Sequence, residues 1–182
     1  MFKTSDYLKD VGEVVRALEG LGLKPILVGG MALVILGSRR VTRDFDFVIS
    51  KPDHHKDQLE KMVAVFYDRG LELASHLDKE GNVLSTIDNR KVAAIRLRLD
   101  APSSAYFYNS KTGLRIDLLF DFPFPAVELA AGAKRIKVRS QVFHVASEKD
   151  LIRLKKIAKS QRSLPGDAQD LDFLLKPRGD PK

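Results

Sequence analysis

The chain has 182 residues, enough for one domain or one domain with a small appendage, and enough to bury a sizeable core unaided. It has no cysteine, which excludes disulfides and thiolate metal sites, and its 44% apolar and 30% charged residues are ordinary for a soluble globular protein. A net charge of +7 favours polyanionic partners such as nucleic acid or nucleotides, or else a solvated basic surface.

The opening MFKTSDYLKD is polar and shows no apolar core of a signal peptide, and the run MALVIL is far short of the roughly 20 residues that span a bilayer. A cytoplasmic protein without membrane contact is expected. Thr4 or Ser5 caps a first helix, in which Leu8, Val11, Val15 and Leu18 recur at helical spacing until Gly20 and Gly22 close it. Lys24–Val28 reads as a strand ending at Gly29-Gly30, Met31–Leu36 as a buried helix, and Phe45–Ile49 as a second strand. Asp53–Tyr67 is a helix with Leu59, Met62, Val63 and Phe66 on one face, stopped by Gly70. Leu71–Leu77 is a strand, and so is Val92–Leu99, whose end alternates with period two. Ala105–Tyr108 and Leu114–Phe120 pair across the turn 109–113, and Ile136–Val138 with Gln141–Val145 make a hairpin around Arg139-Ser140. Ser147 and Asp150 form a capping-box start to a helix through about Lys159. Ser163-Leu164-Pro165-Gly166 breaks it, and Asp167 caps a last helix to about Leu175. The order predicts an α+β (mixed α/β) fold, a mixed sheet with flanking helices and a C-terminal helical pair.

Asp44 and Asp46 are i and i+2 on a strand, so they share a face and lie roughly 6.6 Å apart along it. Phe45 and Phe47 take the opposite, core face. Two unpaired carboxylates that close repel, and burying them is costly. A hard divalent cation such as Mg²⁺ removes that cost. A lone Asp-x-Asp is also what a plain edge strand shows, but Arg115-Ile116-Asp117-Leu118-Leu119 is a second strand with one acid among apolar residues. Laid beside the first at roughly 4.8 Å, it brings Asp117 to the pair. Three carboxylates on adjacent strands can hold two metals about 4 Å apart, which activates an attacking oxygen and steadies a leaving phosphate. Gly29-Gly30, between a strand and a helix start, gives backbone N–H groups access to an anion. Neither a P-loop nor a G-x-G-x-x-G is present.

Val28-Gly29-Gly30, thirteen residues, Asp44-Phe45-Asp46-Phe47 and a later Asp117 resemble the signature of the DNA polymerase β-like nucleotidyltransferase superfamily. Arg40-Val41-Thr42-Arg43-Asp44-Phe45-Asp46 looks like the R-x-T-x-D-x-D form of its AbiEii/MenT-type toxin-like branch. Asp150-Leu151-Ile152-Arg153-Leu154-Lys155 and Asp170-Leu171-Asp172 are similar to the helices that close that branch, although the link between Lys155 and Asp170 is longer than the pattern and carries SLPG. The resemblance runs from about residue 25 to 175 and implies a catalytic domain over 1–146, a helical extension over 147–176 and a flexible tail over 177–182.

The activity it implies is transfer of a nucleoside monophosphate from an NTP to an acceptor hydroxyl, such as a tRNA end, with release of pyrophosphate. The cofactor it implies is Mg²⁺ in a two-metal site, with Mn²⁺ as a substitute, and the setting a toxin–antitoxin or phage-defence system with a cognate antitoxin. Position by position, Asp44, Asp46 and Asp117 ligate the metals, and Asp117 helps to deprotonate the acceptor. Gly29 and Gly30 hold the triphosphate. Arg40 and Lys155 neutralise developing charge, as cations do in phosphoryl transfer. Asp170 orients Lys155 or contacts the acceptor, and Arg39 and Arg43 are candidates for the same electrostatic role, or solvated loop arginines. Two rivals are an antibiotic nucleotidyltransferase and a catalytically idle, antitoxin-like binding protein of the same fold.

His54, His55, His76 and His144 lack metal-ligand spacing, and Ser38 and Ser147 lack triad partners, so these are read as structural. The DFPFP stretch, with Phe120, Phe122 and Phe124, and the run Tyr106-Phe107-Tyr108 are read as packing in preference to a nucleobase stack. Arg153, Lys155, Lys156, Lys159 and Arg162 suit either a groove for RNA phosphates or a solvated helix face. Arg178-Gly179-Asp180 is a chance match to an adhesion motif.

Overall fold

The computed structural model describes residues 4–53, 55, 57–161 and 165–177. In chain order these form α1 (Thr4–Gly20), β1 (Ile26–Val28), α2 (Gly29–Ile35), β2 (Asp44–Ile49), α3 (Gln58–Tyr67), β3 (Glu72–Leu77), β4 (Val83–Ile87) and α4 (Arg90–Asp100). Then come β5 (Ser104–Tyr108), β6 (Arg115–Phe120), α5 (Ala126–Gly132), β7 (Lys134–Val138), β8 (Gln141–Val145), α6 (Glu148–Gln161) and α7 (Pro165–Leu175). The strands make one mixed sheet in the order β4-β3-β5-β6-β2-β1-β8-β7. The fold is therefore the expected mixed α/β one, with helices flanking a sheet.

The alternation read from the sequence sets the two faces of the central strands. Phe45, Ile116 and Phe107 are register partners across β2, β6 and β5, all fully buried. Phe107 stacks on Phe66 of α3, ring centroids 3.9 Å apart, so α3 covers this apolar face. One residue along, Asp46, Asp117 and Tyr106 are partners on the other face. The side that carries the acids is thus fixed by the side that buries the phenylalanines.

Four expectations change. Val92–Leu99 is not a strand but lies in α4: the Asn89 side chain caps it by accepting from the Lys91 and Val92 N–H groups. Ala93, Ala94 and Leu97 form its buried face, while Leu99, whose alternation with Arg98 suggested a strand, is 78% exposed. β4 and α5 fall where no element was expected. α3 starts at Gln58 rather than Asp53, because the Gln58 side chain accepts from the Asp53 N–H at 2.7 Å and holds a turn ahead of the helix. The glycines of the Gly29-Gly30 turn are themselves the first residues of α2. His54, Arg162, Ser163, Leu164 and tail residues 178–182 lie outside the described residues, as do the side chains of Thr4 and Ser5.

Candidate active site

β2 and β6 run parallel with Asp46 directly opposite Asp117 and Asp44 opposite Arg115. The three acids expected to converge therefore share one face of two adjacent strands. Asp117 is buried, Asp46 half-buried, and Asp44 exposed at the strand's start. Burial, then the charges of Asp117 and Asp44, push the Asp46 carboxyl up to about 7, against the pull of the Lys155 ammonium. Asp117 is raised as well, chiefly by burial, with Arg115 opposing.

Gly29 sits against these acids. A Cβ on it would lie 2.2 Å from Asp46 Oδ2, and its φ of +70° is one that side chains resist. A Cβ on Gly30 would meet the Arg40 guanidinium at 3.2 Å. The two glycines thus let the carboxylate and the guanidinium flank the start of α2. Arg40 continues to α7, where its Nη1 is paired with Asp170 Oδ2. Lys155, on α6, lies 2.6 Å from the same Asp170 oxygen and 3.3 Å from Asp167 Oδ1. Both acids are almost fully buried, Asp170 being 1% exposed, so of the two roles expected of Asp170 it is the orientation of Lys155 that the contacts match. Arg39 and Arg43 are exposed, and Arg43 lines the pocket while Arg39 does not.

A cavity of about 800 Å³ joins these groups. One wall is Gly29, Gly30, Arg40, Arg43 and Lys155, the floor is Asp44, Asp46 and Asp117, and the opposite wall includes Tyr106, Tyr108, Arg115 and Phe122. Four of these, Tyr106, Tyr108, Arg115 and Phe122, were not assigned to a site by the sequence. Tyr106 and Tyr108 alternate with the core residue Phe107 and so must face the acids, a signal present in the sequence but read as packing. Arg115, two residues before Asp117, shares its face and binds it through Nε at 2.7 Å and Nη2 at 3.1 Å. Phe120 and Phe124 do pack on the core, but Phe122 is 42% exposed at the pocket. Asp167, expected only as a cap, is the second acid on Lys155.

The basic run is dispersed, not a continuous groove, among the described residues. Arg153 pairs with Glu128 at 2.9 Å and Asp150 at 2.8 Å, Lys155 is buried, and Lys156 and Lys159 remain exposed. The Ser147–Asp150 capping box forms as expected, its hydroxyl accepting from the Asp150 N–H at 3.1 Å and donating to Oδ2 at 3.0 Å.

Among the described residues, no three acidic or imidazole side chains close around a single point. The donor set nevertheless suits a hard cation: carboxylates on one face, with Asp46 raised towards neutral pH by burial and then by its negative neighbours. Arg115 supplies the nearest positive charge to Asp117 instead.

No family model matches the sequence, and no curated protein does. Solved structures do match. An antigenic nucleotidyltransferase-like protein from Paracoccidioides brasiliensis is 17% identical, with a TM-score of 0.58 over 93% of this chain and 76% of that one. The lincosamide antibiotic adenylyltransferase LnuA, solved with lincomycin, is 13% identical, with a TM-score of 0.55 over 91% and 94%. The antibiotic-resistance factor ANT(2'')-Ia is 12% identical in its solution structure, with a TM-score of 0.57 over 94% and 84%. The fold is that of nucleotidyltransferases. At these identities the likeness speaks for the fold. No helix among the described residues is long and apolar enough to cross a membrane.

Proposed function

We propose that the protein transfers a nucleoside monophosphate from an NTP to an acceptor hydroxyl, with an RNA end such as that of tRNA as the acceptor. The observation that carries this reading is the pairing of Asp46 with Asp117 on adjacent parallel strands, against a glycine turn beside Arg40, whose partner Asp170 also holds Lys155. In this reading residues 1–146 are the catalytic body, and the helical extension over 147–176 supplies Lys155 and Asp170.

Asp44, Asp46 and Asp117 would hold Mg²⁺, or Mn²⁺ in its place. When bound, the metal supplies positive charge for the phosphates and lowers the barrier to oxyanion attack. Backbone N–H groups of Gly29 and Gly30 bind triphosphate oxygens. Arg40 and Lys155, held in place by Asp170, orient the phosphates from the same wall as the glycines, and Arg43 adds charge at the rim. The acceptor oxygen bonds to the α-phosphorus, the bond to the β-phosphate oxygen breaks, and pyrophosphate leaves. Asp117, whose carboxyl is raised by burial, takes the hydroxyl proton at Oδ. The setting we propose, a toxin–antitoxin or phage-defence system with a cognate antitoxin, is supported only by the resemblance of residues 40–46 and 150–172.

The test is incubation with each of four α-labelled NTPs, Mg²⁺ and total bacterial RNA and protein, beside an Asp44→Ala/Asp46→Ala control. Label on RNA that the control lacks is expected. Label on polypeptide would move the acceptor to a protein hydroxyl. Absence of any label, from folded protein that also fails to bind NTP, would refute transfer and leave an idle binding fold.

A further inference from the structure

The two walls of the cavity differ in kind. One carries backbone N–H groups, Arg40, Arg43 and Lys155, which suits phosphates. The other is built on β5 and β6, with Tyr106 the register partner of Asp117 and Tyr108 that of Arg115. Neighbouring strands are about 4.8 Å apart, so the Tyr106 side chain stands directly beside the third carboxylate. Arg115 lies over the Tyr106 ring, its Cζ 4.5 Å from the centroid. Leu77, Val83 and Phe122 extend this wall with apolar surface.

The charges on this wall are already matched. Arg115 Nε and Nη2 go to Asp117, at 2.7 and 3.1 Å, and Nη1 donates to the Gly81 carbonyl at 2.5 Å. Each nitrogen of the guanidinium therefore has a partner, which disfavours a phosphate here. Asp117 has its counter-ion, which disfavours a polycation such as an aminoglycoside, whose ammonium groups need uncompensated carboxylates. What the wall offers is flat surface: two phenol rings and a guanidinium plane, fixed at three points between β6 and the β3–β4 turn. A rigid stack costs a ligand little ordering. Aromatic and arginine planes accept a nucleobase of any sequence by stacking.

We propose that Tyr106, Tyr108 and Arg115 form an acceptor subsite that stacks the base of the terminal nucleoside of a single-stranded RNA, placing its ribose beside Asp117. This deepens the reading of the protein as a nucleotidyltransferase and rests on it for the role of the opposite wall. Tyr106 and Tyr108 are then specificity residues for the acceptor and not for the NTP.

The test separates the two walls. Binding of a fluorescein-labelled RNA octamer is measured by anisotropy in Mg²⁺ without NTP, and repeated with an octamer whose 3′-terminal nucleoside lacks its base. Binding of a fluorescent ATP analogue is measured in parallel. The wild type is expected to bind the intact end about 5- to 150-fold tighter than the baseless end, the range of one stacked base. In Tyr106→Ala/Tyr108→Ala that preference should vanish while the ATP analogue binds as before. Tyr106→Phe/Tyr108→Phe, which keeps both rings, should retain the preference and guards against misfolding. Equal binding of the two octamers by the wild type, tobramycin displacing either one, or loss of the ATP analogue in the alanine variant would overturn the subsite. A wild type that prefers the intact end but does not bind the ATP analogue would support the subsite and refute transfer.

Discussion

Asp46→Asn should make the metal-free protein more stable at alkaline pH. The Asp46 carboxyl is raised from 3.8 to about 7, first by burial and then by Asp117 and Asp44. In the unfolded chain it releases its proton near the lower value. Between the two values the folded state binds more protons than the unfolded one, so stability falls as pH rises from about 4 through 7. A gap of about three pH units corresponds to about 4 kcal/mol at pH 8, an upper bound because Asp117 shares the titration. Asparagine removes the charge, keeps the shape and can still donate to Asp117. For a chain of this size each kcal/mol is worth about 2–4 °C in melting temperature, so the variant should melt up to about 8–16 °C higher at pH 8 in chelator. The difference should shrink as pH falls and vanish below about pH 4, where Asp46 is protonated in the unfolded chain as well. Adding Mg²⁺ at pH 8 should raise the melting temperature of the wild type only. Melting curves from pH 3.5 to 8.5, with chelator and with Mg²⁺, give the whole comparison. A variant that melts at or below the wild type at pH 8 in chelator would refute the view that these carboxylates are mutually repulsive and await a cation.

Gly29→Ala should destabilise by about 1–3 kcal/mol and abolish Mg²⁺-induced stabilisation, since its Cβ would press on Asp46 Oδ2 from a strained φ; urea unfolding with and without Mg²⁺ checks both effects. Phe107→Ala should cost about 3–5 kcal/mol in the same assay by emptying the fully buried stack against Phe66. Lys155→Met should cost up to about 3–5 kcal/mol in the same assay because it removes the ammonium from between the buried carboxylates of Asp167 and Asp170, although Arg40 stays on Asp170. Asp170→Asn should lower kcat by freeing Arg40 and Lys155 from a shared anchor, while the Kd for NTP, read by fluorescence, stays the same or tightens.

The glycine turn, the paired acids and the third acid were legible because they interrupt apolar periodicity, and an interruption needs a physical reason. The same alternation gave the face of each acid, and register then did what the sequence cannot: it brought residues 46 and 117 opposite each other. Reading failed where two periods were compatible. In Ala-Ala-Ile-Arg-Leu-Arg-Leu the last four residues alternate, yet Asn89 caps a helix and only Ala93, Ala94 and Leu97 are buried. Helix α4 is half-covered, so its apolar residues do not all point inward and the pattern misleads. Tyr106 and Tyr108 were missed because aromatic residues in a strand are normally core. Their polar tips become informative only once Phe107 is known to fill the core position between them. Of the two partners of Lys155, Asp170 was expected through the resemblance alone, and Asp167 only as a helix cap. Asp167 and Asp170 reach it only because α7 folds back on α6.

The charge balance of the pocket assigns different work to its two basic centres. Arg40 and Lys155 face Asp167 and Asp170, two cations against two anions, all held by contacts among themselves. Such a cluster has little net field at a distance, so its contribution to phosphate binding is placement, not attraction. The attraction that a triphosphate needs must come from elsewhere in the pocket. The floor cannot supply it while Asp44 and Asp46 are without a cation and Asp117 is matched by Arg115 alone, since its net charge is then negative. The same three acids supply it once they hold divalent cations, which reverse the sign of the floor. Nucleotide affinity in this geometry is therefore conditional on the metal in a way that a P-loop lysine would not require.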